Sequence, residues 1–464
     1  MTLTPGQHIH LVGIGGAGLS AIARVLLGQG YRVSGSDRSL NALTEALARD
    51  GARIDPTHAA ANVVGADALI VSSAVQPDQV EIAAARAAGI PVYKRSDIMA
   101  DLMLGKQVMA VAGTAGKTTT SAMIAHILIE TGKDPSYIIG GVLSTTGQNA
   151  GVGKGDAFVV EADEYDNMFL GLRPNIAVVT NVEWDHPDFF PTPADTQHSF
   201  EQFVDLLPDD GALVVCSDDP GAQQLYGFAW HLARFFIMPY GLWEKPAEFI
   251  AGKIETHEAG TSFEVWAAGA DDVSTQVHLN VAGTHNVLNA TAAIVVAVLY
   301  GIMLDEAALA LSTFKGTGRR FELKGEVGGV AVIDDYAHHP TKIRATLQAA
   351  RSRYPDRQIW AVWQPHTYSR TQALEADYLA AFSDADYVLI TDIYAAREQP
   401  IPGVSAAAIA ERMDHRDARF TPTFDEAVAI LDAEVQAPAA VIVMSAGDAP
   451  KIAAEFLKIR QGKA

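Results

Sequence analysis

Two short segments of this 464-residue sequence have the residue types and spacing needed to bind polyphosphates. Gly113-Thr-Ala-Gly-Lys-Thr-Thr-Thr120 sets a lysine and hydroxyls directly behind a glycine loop. Backbone N–H groups of such a loop cradle phosphates, Lys117 neutralises the β and γ groups, and the Thr118 hydroxyl can ligate Mg²⁺. Gly113, Thr114, Gly116, Lys117, Thr118 and Thr119 are therefore the expected ATP contacts, although Val111 stands where the standard motif begins with glycine. Gly13, Gly15 and Gly18, with Gly16 and Ala17 between them, form a GxGxxG turn that offers helix N–H groups to a diphosphate. Asp37 follows at the spacing of an acceptor for a ribose hydroxyl. Alone, this turn favours a nicotinamide dinucleotide over other diphosphates. A simple dehydrogenase, however, needs one nucleotide site and not two.

Carboxylates gather after an apolar strand in Val160-Glu-Ala-Asp-Glu-Tyr-Asp166. Mg²⁺ on phosphates keeps only one or two protein carboxylates, so Glu161, nearest the strand, is the expected ligand. Asp163 and Glu164 read equally well as a solvated acidic loop. Thr180-Asn-Val-Glu-Trp-Asp-His186 repeats the pattern, with His186 a candidate for a second cation against the commoner structural role of a lone histidine.

Three strand–glycine–helix openings must position these residues. They begin at His8, at Gln107 and near Val330, and each leads into alternating apolar strands and helices. Such alternation predicts an α/β protein with parallel sheets. At about 150 residues per domain the length suggests three domains, with boundaries near 105 and 315: residues 1–105, 106–315 and 316–464. The apolar run Ala290–Leu304 is too short to cross a membrane and reads as a buried helix. The acidic stretch Asp205–Asp210, broken by Pro208, reads as a turn. Net charge is −21, from 55 acidic and 34 basic residues, which disfavours nucleic acid and anionic membranes as partners. Cys216 is the single cysteine, so neither an intrachain disulfide nor a thiolate metal cluster can form. A polar start, Met1–His10, has no signal-peptide pattern, and a cytoplasmic location follows by elimination.

In chain order the sequence carries HLVGIGGAGLSAIA, GTAGKTTT, EADEYD, NVEWDH, GTHNVLNATAAI, GTGRRFE, DDYAHHPT, QPHTYSRT and DIYAARE. In these nine segments it resembles the Mur ligases, the ATP-dependent amino-acid ligases of bacterial cell-wall (peptidoglycan) precursor synthesis. The resemblance covers essentially the whole chain. It implies a Rossmann-like UDP-binding domain, a central P-loop ATPase domain and a Rossmann-like C-terminal domain. The implied activity is ATP-dependent addition of L-alanine to UDP-N-acetylmuramate through an acyl phosphate, with ATP and Mg²⁺ as cofactors. By the same resemblance Gly13, Gly15, Gly16, Ala17, Gly18, Asp37 and Ser72 would hold the UDP-sugar. Thr118, Glu161 and His186 would hold Mg²⁺. His285, Asn286 and Asn289 would lie on the adenine side, Arg320 would reach the γ-phosphate, and Asp335 would stand at the nucleotide. His338, His366, Arg370 and Arg397 would handle the amino acid and the acyl group. Lys117, Arg320 and His338 are the expected catalytic residues, His338 as the base for the incoming amine.

Three positions depart from the alanine-adding pattern: Ala115 for histidine, Thr284 for arginine and Tyr165 for serine. EADEYD is also the form found in the relative that joins a murein tripeptide to UDP-N-acetylmuramate, whereas QPHTYSRT fits the alanine-adding members better. An NAD-dependent oxidoreductase leaves the lysine loop unexplained. A nucleotide sensor that keeps the fold without catalysis is the other rival, motivated by Ala115 and Thr284. Substrate contacts spread over three domains predict that closure gates catalysis. Oligomeric state has no signature here.

Overall fold

The structure is a computed structural model and describes residues 3–72, 75–242, 247–257, 260–268 and 273–463. The chain divides into two compact units, Met1–Val182 with Gln197–Ile250 and Ala290–Ala310, and Glu183–Thr196 with Ala251–Asn289 and Leu311–Ala464.

The first unit contains strands of two sheets. Five parallel strands run in the order Arg53–Asp55, Arg32–Ser36, His8–Val12, Ala68–Val71, Val92–Lys94. Strand order reverses between His8–Val12 and Ala68–Val71, and open α/β sheets bind ligands at the carboxyl ends of such a switch point. Gly13 and Ser72 follow those two strands directly. The second sheet centres on Gln107–Ala112, flanked in parallel by Ala157–Glu161 on one side and Ile176–Val179 on the other. Ala212–Cys216 and Phe236–Leu242 extend it beyond Ile176–Val179, while Ser136–Leu143 and the antiparallel Gln148–Gly151 extend it beyond Ala157–Glu161. The central strands are apolar throughout because helices cover both faces.

In the second unit six strands run in the order Glu322–Val327, Val330–Asp335, Ala439–Met444, Gln358–Trp363, Tyr387–Thr391, Ala418–Thr421. All are parallel except the antiparallel Glu322–Val327. Alternation along each strand builds a core on either face. Ile333, Ala361, Trp363 and Ile442 pack on one side with Ile343 and Leu347, and Val332, Trp360, Val441 and Val443 pack on the other with Leu431 and Phe456. The antiparallel pair Gly260–Ala267 with Ser274–Leu279 also belongs to this unit.

The apolar run expected as one helix is divided. Thr284–Leu299 ends and Leu304–Leu311 begins a new helix. Gly301 adopts φ 90°, and the Ile302 N–H returns to the Ala297 carbonyl, the hydrogen-bonding pattern of a glycine C-cap. Asp205–Asp210 is a turn as expected, closed by Gly211 N–H on the Pro208 carbonyl and bound by Arg234 to Asp205 and Asp209. Among the described residues, no helix is long and apolar enough to cross a membrane.

Candidate active site

In the first unit the lysine loop leaves Gln107–Ala112 and enters the helix Lys117–Glu130. The neighbouring strand shapes it. Thr180 Oγ1 donates to the Ala115 carbonyl at 2.6 Å, and Asn181 Oδ1 accepts the Ala115 N–H at 2.8 Å. Gly113 has φ 140°, and a Cβ there would fall 2.0 Å from Thr180 Oγ1, so the close approach requires glycine. Thr180 and Asn181 were not singled out from the sequence. Their signal was their place at a strand end beside the glycine loop.

Lys117 Nζ reaches the Gly113 carbonyl and both oxygens of Glu164, at 2.9 and 2.6 Å. Burial opposes its charge, but Glu164, Asp163 and Glu161 outweigh burial and hold the ammonium above the ordinary lysine range. Glu164 is 2% exposed, so it is not part of a solvated loop. Thr118 Oγ1 donates to Glu161 Oε1 at 3.1 Å, while Glu161 Oε2 takes the Gly140 N–H at 2.7 Å. A hydroxyl and a carboxylate oxygen side by side at a lysine loop form the hard-donor pair that a phosphate-bound Mg²⁺ accepts, and these two residues fit it. Thr114 is buried against Asn181, whose carbonyl accepts its N–H at 3.1 Å.

At the glycine turn, Asp37 faces inward. Its two oxygens accept the N–H groups of Gly15 and Ser39, each at 2.9 Å. Asn41 Nδ2 donates to the Gly15 carbonyl at 3.0 Å. Asp37 therefore shapes the turn. The helix Ala17–Gly28 that follows has no side-chain cap and no acid in its first turn, leaving its positive end available to an anion.

The second unit assembles the predicted acyl and amine residues at the carboxyl ends of its parallel strands. Arg370 is 3% exposed and central. Its Nε donates to Asp185 Oδ1 at 2.6 Å, Nη1 to His366 Nδ1 at 2.9 Å and Nη2 to His186 Nδ1 at 3.2 Å. Burial opposes ionisation of Asp185, but Arg370 overrides it and holds the carboxyl well below its usual range. Guanidinium only donates, so both imidazoles accept at Nδ1 and carry hydrogen on Nε2 when neutral. Mg²⁺ at His186 Nε2 would need that hydrogen on Nδ1, at the expense of the Arg370 contact. His366 is neutral at pH 7, its pKa pushed to about 4 by burial and by Arg370.

His338 has the opposite polarity. Its Nδ1 lies 2.9 Å from the Tyr336 carbonyl, which can only accept, so Nδ1 carries the hydrogen and Nε2 the lone pair. Burial, with Lys342 and Arg370, keeps it neutral, well below the ordinary imidazole value. His339 caps the helix Pro340–Arg353 by accepting the Thr341 N–H and also contacts the Trp184 carbonyl, which makes it structural. The sequence alone does not separate these two histidines; hydrogen bonding does.

Around Arg320 the backbone is bent. Arg319 and Phe321 adopt φ 59° and 47°, and the guanidinium of Arg320 stacks 5.0 Å from the Tyr336 ring centre. Asp335 accepts the Phe321 and Ala337 N–H groups, both at 2.7 Å, so it holds the Arg320 and His338 segments together. Asn286 Nδ2 donates to the Ala282 carbonyl at 2.7 Å and Asn289 Nδ2 to Asn286 Oδ1 at 3.2 Å, while burial lowers His285 to about 4. Arg397 pairs with Asp188 at 3.4 Å at the surface. The predicted residues thus fall into two groups by unit: the glycine turn, Lys117, Thr118 and Glu161 in the first, and His186, His285, Asn286, Asn289, Arg320, Asp335, His338, His366, Arg370 and Arg397 in the second.

Three family models match in series: Mur ligase family, catalytic domain over residues 8–107; Mur ligase middle domain over 111–297; and Mur ligase, glutamate ligase domain over 319–447. A UDP-N-acetylmuramate–L-alanine ligase of Roseiflexus sp. is 44% identical, covering 96% of this chain and 97% of its own. That of Acidithiobacillus ferrooxidans is 43% identical, covering 98% of each. Among solved structures, the UDP-N-acetylmuramate–alanine ligase of Thermotoga maritima superposes with a TM-score of 0.81 at 27% identity, covering 98% of this chain and 100% of its own. A murein peptide ligase of Psychrobacter arcticus gives 0.74 at 25%, covering 98% and 99%. On full-length identity above 40%, three consecutive domain matches and the phosphate and imidazole clusters above, this chain belongs to the Mur ligase family.

Proposed function

We propose that the chain is a cytoplasmic ligase that joins L-alanine to UDP-N-acetylmuramate at the expense of ATP, in peptidoglycan precursor synthesis. The observation that carries this reading is the cluster of Lys117, Thr118 and Glu161 where three parallel strands end, in a chain related at 40–45% identity to proteins named UDP-N-acetylmuramate–L-alanine ligase. In this reading residues 1–105 bind the UDP-sugar, 106–315 bind ATP and 316–464 receive the amino acid.

A carboxylate is a poor electrophile, and its condensation with an amine in water is uphill. Its oxygen attacks the γ-phosphorus, ADP leaves, and the resulting acyl phosphate has a good leaving group. The amine then attacks the acyl carbon, phosphate departs and the amide forms. No protein nucleophile is needed, because the substrate carboxylate is itself the nucleophile. Thr118 and Glu161 would hold Mg²⁺, which when bound supplies positive charge to the phosphates. Lys117 neutralises the β and γ groups and Arg320 the transferring phosphoryl, a task of positioning and charge. His338, neutral with its Nε2 lone pair, accepts the proton of the attacking amine. His366, with hydrogen on Nε2, is a donor suited to a carboxylate oxygen. The conserved tasks of this chemistry are unaffected by Ala115, Thr284 and Tyr165, whose place in the pattern bears on substrate choice.

A second reading, attachment of a murein tripeptide to the same UDP-sugar, is favoured by Tyr165 in EADEYD and by the likeness to the murein peptide ligase. Orthophosphate release measured with UDP-N-acetylmuramate and, in turn, alanine, serine, glycine and the tripeptide decides between them. Release with alanine above all others supports the first reading. Preference for the tripeptide supports the second, and no release with any of them removes both.

A further inference from the structure

A buried polar row that the chemistry above does not use crosses the two strands from which the glycine turn hangs. His8 and His10 alternate along His8–Val12, and His10 is the register partner of Ser34 in Arg32–Ser36. His8 Nε2 and His10 Nδ1 both meet Ser34 Oγ, at 2.8 and 2.7 Å. At one end of the row His8 Nδ1 lies 2.9 Å from the Gly65 carbonyl. At the other, His10 Nε2 lies 3.5 Å from Glu81 Oε1, with no hydrogen-bond partner of normal geometry. His10 and Glu81 are both 0% exposed.

The hydrogens along this row can be counted. A serine hydroxyl has one to give, and carbonyl and carboxylate oxygens only accept. If His8 donates to the Gly65 carbonyl, its Nε2 accepts from Ser34 and Ser34 accepts from His10 Nδ1. Neutral His10 then turns a lone pair on Glu81. If His10 donates to Glu81 instead, the row reverses, and neutral His8 turns a lone pair on the Gly65 carbonyl. Two neutral imidazoles thus leave one repulsive contact at one end or the other, whereas one added proton on either ring removes it. Glu81 is not the place for that proton. Its Oε2 meets Ser36 Oγ at 2.7 Å, Gln79 Nε2 at 2.8 Å and His58 Nδ1 at 3.0 Å, and its Oε1 takes Asn62 Nδ2 at 2.7 Å. Burial opposes its charge, but His10, Ser36, Asn62 and Gln79 bring the carboxyl down to about 2. The further charged group on the row is Asp67 beside Gly65, whose carboxylate takes the His8 N–H at 2.7 Å.

We propose that His8, Ser34 and His10 together hold one proton more than two neutral imidazoles do, as counter-charge to the buried Glu81, and that this charge pair positions the glycine turn. Ser36 is the link. Its hydroxyl is tied to Glu81, while its carbonyl accepts the Gly13 and Ile14 N–H groups at 2.8 and 3.2 Å. His10 and Glu81 are positioning residues that act through Ser36. The positioning role rests on the UDP-sugar reading of the turn, and the proton count is independent of it.

Nitrogen NMR of the full-length protein labelled in histidine, at about pH 7 with the rings assigned through the backbone, tests the count directly. Three hydrogens are expected on the four ring nitrogens of His8 and His10. Glu81→Gln keeps the size, removes the charge and can itself donate to His10 Nε2, so two are expected there. In steady-state phosphate release Glu81→Gln should raise KM for UDP-N-acetylmuramate by about fivefold to a hundredfold, the effect of a buried group losing its partner, with kcat and KM for ATP within about twofold. His10→Gln strands Glu81, and His10→Gln/Glu81→Gln should melt above it, a rescue that packing alone would not produce. The first two measurements need no folded His10→Gln. Two hydrogens in the wild-type protein, or three in Glu81→Gln, overturn the proton count. An unchanged KM for the UDP-sugar in Glu81→Gln, or an equal rise for ATP, overturns the positioning role. Phosphate release by the wild-type protein that ignores UDP-N-acetylmuramate removes the UDP-sugar reading and the positioning role with it, while the spectrum still decides the count.

Discussion

Replacing Lys117 by methionine should damage stability and catalysis separately, and the two effects can be disentangled. Lys117 Nζ lies 2.6 and 2.9 Å from the oxygens of Glu164, which is 2% exposed. Methionine is close in volume, so packing changes little, but a carboxylate is left buried with its counter-charge gone. Breaking one partner of a buried pair costs about 3–5 kcal/mol. For a unit of this size each kcal/mol moves the melting temperature by roughly 2–4 °C, so a loss of about 10 °C is expected by scanning calorimetry. Adding Glu164→Gln removes the orphaned charge. Lys117→Met/Glu164→Gln should therefore regain most of the lost stability, with a coupling of about 2–3 kcal/mol in the double-mutant cycle. Phosphate release should remain about 10²–10³-fold slower than wild type in both variants, because loss of one preorganised charge at the transferring phosphates raises the barrier by roughly 3–4 kcal/mol. If Lys117→Met melts like wild type, or the double variant is no more stable than the single one, the pair is not the buried, charged contact described here.

Three further outcomes are expected. His338→Ala should lower amide formation by about 10²–10⁴-fold while leaving affinity for ATP unchanged, and near-normal turnover would remove His338 as the base. Asp185→Asn strands a buried Arg370 and should destabilise the protein by about 3–5 kcal/mol; calorimetry showing less than about 1 kcal/mol would refute the pairing. Acid should destabilise the second unit: His285, His339 and His366 are held near 4 in the fold against an ordinary 6.5, so below pH 6.5 the unfolded chain takes up protons that the folded one refuses. Stability then falls as pH drops from 6.5 toward 4, by up to about 1.4 kcal/mol per pH unit for each imidazole, and a melting temperature flat over that window would contradict their burial as neutral groups.

Much of this was legible in the sequence, for a physical reason. Strands covered on both faces are apolar throughout, so segments such as Ile176–Val179 and Val330–Asp335 stand out, and loops at their carboxyl ends carry the chemistry. Lys117 and Thr118 could be named because a strand, a glycine loop and a helix fix their places locally, and Glu161 because it ends an apolar strand. Partners distant along the chain could not. Glu164 was indistinguishable from its acidic neighbours until the turn containing Asp166 and Asn167, both at positive φ, set it beneath Lys117. Nor does any local pattern distinguish His338 from His339, because what separates them is whether Nδ1 meets a carbonyl or an N–H.

A pattern in the cations explains how so acidic a chain handles anionic substrates. With a net charge of −21 the protein field repels phosphate, so binding depends on a few local cations. Lys117 rests on Glu164, and Arg95 lies 3.6 Å from Asp163. These carboxylates keep the cations desolvated and oriented, and a phosphate that replaces or joins them meets a site already organised. Arg370 does not fit that scheme. Its pair with Asp185 is 2.6 Å long, both side chains are at most 4% exposed, and its remaining nitrogens are spent on His366 and His186. An incoming carboxylate would have to extract a buried ion from its partner, at a cost of several kcal/mol. Arg370 therefore cannot trade its anion without dismantling the imidazole pair it orients. Direct substrate contact in the second unit falls more naturally to the Nε2 atoms of His366 and His338, one a donor and the other an acceptor, as activation of an acid and deprotonation of an amine require.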